Sequence, residues 1–324
     1  MSVAAPLAQA TALPSPRCDN LTMTALLLPP LPCYLNAAFT LLPDAKVSVM
    51  DRGFIFGDGV YEVIPVYGGR LFRFDEHMAR LERSLSLTRI PNTKTQEQWR
   101  AIAHQLIATY AASIGSTAEN IDQLVYIQIT RGVAMRDHAM LQDLTPTVFA
   151  MAMPMVRPTP QQREHGVACV TAADFRWQKA HIKSTSLLGS VFARQISVDA
   201  GALETVMFRG DYLSEASSSN VWIVKSGTLI GPPKDNLVLE GVRYGLLEEM
   251  CRASGIAFEL RPVSRVEVLQ ADEVLLTSAT KEVLAITSLD GQPVGDGTPG
   301  PLCKALQAAY ERAIATLALA EPVH

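Results

Sequence analysis

Four dipeptides restrict most what this chain can fold into: Gly68-Gly69, Gly210-Asp211, Ser226-Gly227 and Asp290-Gly291, each set between short apolar runs. Such pairs adopt the positive-φ turns that join neighbouring antiparallel strands, so they predict four ribbons. Other segments carry helical periodicity. In "DEHMARLERSLSL", Asp75 is a candidate cap, Met78, Leu81 and Leu85 recur on one face, and Pro91 ends the run. Thr95 and Gln98 then form a capping-box pair ahead of an apolar stripe of Trp99, Ile102, Leu106 and Tyr110. Strands are expected over 124–132, 147–153 and 167–173, followed by the ribbon "ETVMFRGDYLSEASSSNVWIVKSG" and a helix at "VRYGLLEEMCRAS" closed by Gly255. The segment "DEVLLTSATKEV" and a last helix from Leu302 to Ala315 complete the pattern. Strands and helices mix without regular βαβ alternation, which predicts α+β domains rather than a doubly wound parallel sheet.

A chain of 324 residues exceeds the size at which one core stops growing, so two domains are expected. The Pro-containing stretch "PMVRPTPQQREHG" marks the boundary. The division is then a tail over 1–32, a small α+β domain over 33–153, a linker over 154–165 and a larger domain over 166–324. The tail is rich in Ala, Pro, Ser and Thr, with Arg17 and a short "ALLL", which suits neither a secretory signal nor a transit peptide; Met23 is an alternative start. No apolar run approaches the roughly 20 residues of a membrane span. A net charge of -4 offers no field for gripping phosphate backbones, so nucleic acid is not an expected partner. The five cysteines (Cys18, Cys33, Cys169, Cys251, Cys303) are scattered and free of CxxC spacing. Reduced thiols in a cytoplasm, and no structural metal, are expected.

The chemistry starts at "HIKSTSLLGSVFARQ", residues 181–195, where Lys183 sits among apolar neighbours. An unpartnered buried ammonium costs several kcal/mol, so Lys183 either snorkels at a helix entry or has chemical work. Three further stretches bear on the choice. "YLSEASSSNVWIV" places an acid, a serine run and Asn220 before an apolar strand, and read alone it is a serine-rich turn. "LTSATKEV" offers hydroxyls and N–H groups that suit an anion or a helix cap. "LEGVRYGLLEE" sets a glycine just before an amphipathic helix, leaving first-turn N–H groups free for a phosphate. Together they supply a lysine for a Schiff base, a carboxylate for a ring nitrogen and donors for a phosphate, which are the protein-side requirements of pyridoxal phosphate. GxSxG, P-loop and HExxH motifs are absent.

With "VMDRGFIFGDGVYEVIPVYGGRLF" and "HMARL", these stretches make the chain resemble the fold type IV, or class IV, pyridoxal phosphate aminotransferases from Cys33 to the C-terminal helix. The resemblance implies a two-domain fold with the cofactor in the interdomain cleft, and a homodimer in which both subunits line the site. It implies that Lys183 is the Schiff-base lysine, Glu215 the pyridinium partner and Arg80 the phosphate-binding arginine. Val242 and Arg243 match the phosphate-cup backbone, and Ser278, Ala279 and Thr280 the second phosphate loop. Two positions depart from the family pattern: Arg243 takes the place of a threonine, as does Ala279, so backbone N–H groups are expected to do the holding there.

Arg136 and His138 in "TRGVAMRDHAM" form, by themselves, a polar loop after a strand. Beside the other motifs they look like the Arg-x-His carboxylate trap of D-amino-acid aminotransferases, with Tyr61 completing it; the planar guanidinium suits a carboxylate. The implied activity is transfer of an amino group from D-amino acids such as D-alanine or D-glutamate to a 2-oxo acid. Pro65 replaces a lysine of that group, which keeps an (R)-selective amine transaminase or a branched-chain aminotransferase as alternatives. An aminodeoxychorismate lyase and a non-catalytic cofactor-binding module are further alternatives. As a base, Lys183 must be neutral, which an apolar setting favours.

Overall fold

Residues 28–319 are described by the computed structural model, so most of the expected tail, with Cys18 and Met23, lies outside the described residues. The first part of the chain comprises β1 (Pro32–Leu35), β2 (Ala38–Leu41), α1 (Arg52–Phe56), β3 (Gly59–Tyr67), β4 (Arg70–Leu71), α2 (Phe74–Thr88), α3 (Gln96–Ser113), β5 (Gln123–Thr130) and β6 (Thr147–Pro154). Its six strands form one antiparallel sheet in the order β2-β1-β6-β5-β3-β4. Alternate residues of a strand face opposite ways. Val60, Ile64 and Val66 of β3 and Val125, Ile127 and Ile129 of β5 accordingly pack on Met78, Leu81 and Leu85 of α2 and Trp99, Leu106 and Tyr110 of α3.

The expected capping box is present: Thr95 Oγ1 accepts from the Gln98 amide and the Gln98 side chain accepts from the Thr95 amide. Asp75 is not a cap. Helix α2 starts two residues earlier than a cap at Asp75 would place it, from a left-handed Arg73 with no side-chain cap, and Asp75 instead accepts from Gln96 Nε2 at 2.6 Å and Arg100 Nη2 at 2.7 Å and so ties α2 to α3. The helix also ends before Pro91, at a left-handed Arg89 whose N–H returns to Leu85 and Ser86.

The second part runs α4 (Pro160–His165), β7 (Val167–Ala173), α5 (Leu188–Asp199), β8 (Glu204–Arg209), β9 (Tyr212–Ala216), β10 (Asn220–Lys225), β11 (Thr228–Gly231), α6 (Arg243–Ala253), β12 (Ala257–Leu260), α7 (Arg265–Leu269), β13 (Glu273–Ser278), β14 (Glu282–Leu289), β15 (Gln292–Pro293) and α8 (Pro301–Leu319). The main path of its nine-stranded sheet is β12-β11-β10-β13-β14-β7-β8-β9, with β15 on β14. All four turn dipeptides join antiparallel neighbours. Three pairings, β7 with β8, β7 with β14 and β11 with β12, are parallel. Among the described residues no helix is long and apolar enough to cross a membrane.

The two sheets meet along the open edge of β3. Strand β4 pairs only with Val66 and Tyr67, which leaves Gly59 to Tyr61 with unused edge groups. The segment around Lys183 fills them: the Tyr61 amide donates to the Lys183 carbonyl at 3.0 Å and the Thr185 amide to the Gly59 carbonyl at 2.9 Å. Val60 and Ser184 form an antiparallel bridge. Buried backbone groups need partners, so this exchange fixes the register of Lys183 against Tyr61.

Candidate active site

Lys183 is half-buried between the two sheets. Its Nζ lies 4.2 Å from the centroid of the Tyr61 ring, and its amide points to Ser84 Oγ on α2 at 3.4 Å. One turn before Ser84 stands Arg80. Its Nε and Nη2 bind the two Glu62 oxygens at 2.7 and 2.8 Å, and Nη1 reaches the Glu240 carbonyl at 3.3 Å. Glu62 also accepts from His77 Nδ1 at 2.8 Å. Burial alone would raise the Glu62 carboxyl, yet the Arg80 guanidinium and the His77 ring hold it far below the ordinary carboxylate range. Arg80 is thus locked in one orientation, with one nitrogen directed at the stretch before α6.

That stretch connects the arginine to Glu215. Leu239, beside Glu240, donates its amide to Glu215 Oε2 at 3.1 Å, and Asn220 Nδ2 bridges Glu215 Oε2 at 3.2 Å and the Leu239 carbonyl at 2.9 Å. The other oxygen of Glu215 takes Arg176 Nη1 at 2.8 Å, and Arg176 is itself held by Asp174. Burial pushes the Glu215 carboxyl above its ordinary value, against the pull of Arg176 and the Leu239 amide. No side chain caps the first turn of α6, where Val242 and Arg243 lie. Gly241 makes the approach possible, since a Cβ there would run into Asn220 Oδ1. The Arg243 side chain turns inward, 3% exposed, with its Cζ 5.2 Å from the Phe72 ring and 5.3 Å from that of Tyr310.

Ser278, which ends β13, and Ala279 and Thr280, in the turn that leads to β14, are half-buried beside Asn220 through the Asn220–Thr277 strand pair. Ser278 Oγ accepts the Lys281 amide at 3.1 Å and so closes its own turn. Lys281 Nζ extends to Glu204 Oε1 at 2.7 Å and Ser218 Oγ at 3.0 Å, while Ser217, Ser218 and Ser219 all donate to Glu204. This fully buried glutamate therefore fastens the serine run after Glu215 to the 278–281 turn. Burial raises its pKa, but Lys281 and the serines outweigh that and bring it below the ordinary value.

Six elements or loops thus converge, and the structure brings Lys183, Tyr61, Arg80, Val242, Arg243, Glu215 and the 278–280 turn into one connected group. Arg136 and His138 are not part of it within one chain. Both are exposed and flank the Phe56 ring of α1, at 5.4 Å from the Arg136 Cζ and 5.3 Å between the His138 and Phe56 ring centroids. Arg176, Glu62 and His77 were not singled out in the sequence, where nothing marks them: Glu62 lies 15 residues from His77 and 18 from Arg80, and Glu215 lies 39 residues from Arg176. The donor set fits pyridoxal phosphate: an amine, a buried carboxylate for a ring nitrogen, and an arginine beside an uncapped helix N-terminus reached over a glycine that tolerates no Cβ.

The family model described as amino-transferase class IV matches residues 59–289. The D-alanine aminotransferase of Bacillus licheniformis is 37% identical over 271 residues, 84% of this chain and 93% of the relative. That of Staphylococcus aureus strain COL is 35% identical over 282 residues, 87% of this chain and 97% of the relative. Among solved structures, a branched-chain amino acid aminotransferase from Escherichia coli superposes with a TM-score of 0.77 at 23% identity, covering 87% of this chain and 94% of its own. A fold IV-transaminase from Curtobacterium pusillum gives 0.71 at 24% identity, covering 83% and 92%.

Proposed function

Since the chain belongs to the class IV aminotransferases, pyridoxal phosphate-dependent enzymes, we propose that it moves the amino group of D-alanine and related D-amino acids to a 2-oxo acid with Lys183 as its catalytic residue. The observation that carries this reading is the connected group from Lys183 through Tyr61 and Arg80 to Glu215. When bound, pyridoxal phosphate supplies an aldehyde that condenses with amines and a ring that accepts the electrons released at the substrate Cα. Arg80, the amides of Val242 and Arg243 and the 278–280 turn would hold the phosphate. Glu215 would face the ring nitrogen and favour its protonated form, and the Arg176, Asn220 and Leu239 bonds keep the carboxylate in one orientation. Lys183 Nζ would hold the aldehyde and, as a free amine, would take the substrate Cα proton; the Tyr61 ring, 4.2 Å from Nζ, limits where the amine can swing.

The substrate carboxylate needs a cationic fork, and within one chain Arg136 and His138 lie outside the Lys183 group. We assign the trap to Arg136 and His138 of the partner subunit in a homodimer, with Tyr61 completing it. Among the described residues Cys33, Cys169, Cys251 and Cys303 are buried and free of disulfides, which suits a cytoplasmic setting. The test is spectroscopic. The purified holoenzyme should be yellow, bleach on addition of D-alanine with release of pyruvate, and remain coloured with L-alanine. Lys183→Ala should abolish turnover. Bleaching by L-alanine as well, or only by (R)-1-phenylethylamine, would remove the D-amino-acid reading.

A further inference from the structure

Glu282 has the backbone of a glycine and the side chain of an ion-pair partner. It follows the turn 279–281 that joins β13 to β14, and its φ of 53° lies in the left-handed region. Three-residue hairpin loops place such a residue at this point, and glycine is the residue that adopts it without strain. The chain instead puts there a glutamate that is 1% exposed. Its carboxylate accepts from Arg157 Nε at 2.7 Å, from Arg163 Nη2 and from Tyr67 Oη at 3.1 Å. These partners come from three places: Arg157 from the segment between the sheets, Arg163 from α4, and Tyr67 from the end of β3. Glu311 of α8 closes the network on Arg157 at 2.6 Å and Arg163 at 2.8 Å.

Backbone strain of this kind persists only where its surroundings enforce it, and it accumulates at functional positions. Here the enforced residue adjoins Ser278, Ala279, Thr280 and Lys281. Lys281 is tied to Glu204 and Ser218 on one side, and Glu282 to the inter-sheet segment on the other. We infer that Glu282 is a positioning residue that sets the 278–281 turn for the cofactor phosphate by anchoring it to the segment between the sheets. This rests on the proposal that the turn holds that phosphate.

The test compares pyridoxal phosphate with pyridoxal, which lacks the phosphate, in binding titrations of the apoenzymes of the wild type, Glu282→Gln and Glu282→Gly. Glu282→Gly removes the backbone conflict and only loses the anchor, so it guards against a variant that fails to fold. Loss of charged hydrogen bonds predicts about tenfold weaker pyridoxal phosphate binding in both variants, with pyridoxal affinity unchanged. Unchanged phosphate-cofactor affinity, or an equal loss for both ligands, overturns the role of Glu282. A wild type that binds both ligands equally instead overturns the phosphate-loop reading itself.

Discussion

His77 shows how a single residue of the site is fixed by its surroundings. It is buried against Glu62, and that burial pushes its pKa down to about 4, with Arg80 and Arg243 adding to the shift and Glu62 opposing it. The ring is therefore neutral at pH 7, donating Nδ1 to the carboxylate that orients Arg80. Because the folded state binds the proton more weakly than the unfolded chain, stability rises with pH between about 4 and 6.5. Acidification from pH 6.5 to 5 should cost about 2 kcal/mol through this group alone. Glu62 adds its loss only further down, below its ordinary carboxylate range. His77→Gln keeps a donor for Glu62 without the titration, so its Tm should fall less over that interval than the wild-type Tm; parallel curves would refute the assignment. Residues of this kind were illegible in the sequence. Lys183 stood out as a charge among apolar neighbours and Glu215 as an acid before a serine run, whereas His77 and Arg176 matter only through partners that folding brings near.

At the scale of elements, helix α6 and the stretch before it form the proposed phosphate site. A glycine before an amphipathic helix was legible at Gly241, but not its reason, since that depends on Asn220 arriving from β10. Alanine there would press on Asn220 Oδ1, shift the amide from Glu215 and Leu239, and disturb the uncapped first turn. Overpacking against a hydrogen-bonded side chain costs about 1–3 kcal/mol. Gly241→Ala should therefore weaken pyridoxal phosphate binding about tenfold, the equivalent of 1.4 kcal/mol, in a titration of the apoenzyme. Wild-type affinity with wild-type Tm would mean that the close approach is unimportant. Hairpins and amphipathic helices were readable because their signals are local. The parallel partners of β7 were not, because β14 lies more than a hundred residues beyond it and no local pattern specifies such a pairing. The five-residue α1 is too short to show periodicity.

For the whole molecule the question is what completes the site. Along α5, Leu188, Val191 and Phe192 occupy one face at i, i+3 and i+4, and all are exposed, Phe192 at 60%. The same helix follows directly on the Lys183 segment. The proposed homodimer would account for two features together: a second copy would cover this apolar helix face, and its Arg136 and His138, which within one chain flank Phe56, would complete the proposed carboxylate trap. A two-fold interface contains each residue twice, so one introduced charge is buried twice. Phe192→Glu should accordingly weaken the dimer by about 2 kcal/mol or more, which sedimentation equilibrium would read as dissociation at micromolar protein. The monomer retains Arg80, Glu215 and the 278–281 turn, so it should still take up pyridoxal phosphate. Having lost Arg136 and His138 of the partner subunit, it should show a raised KM for D-alanine. A variant that stays dimeric would remove α5 from the interface, and a monomer with wild-type KM would place the carboxylate trap within a single chain.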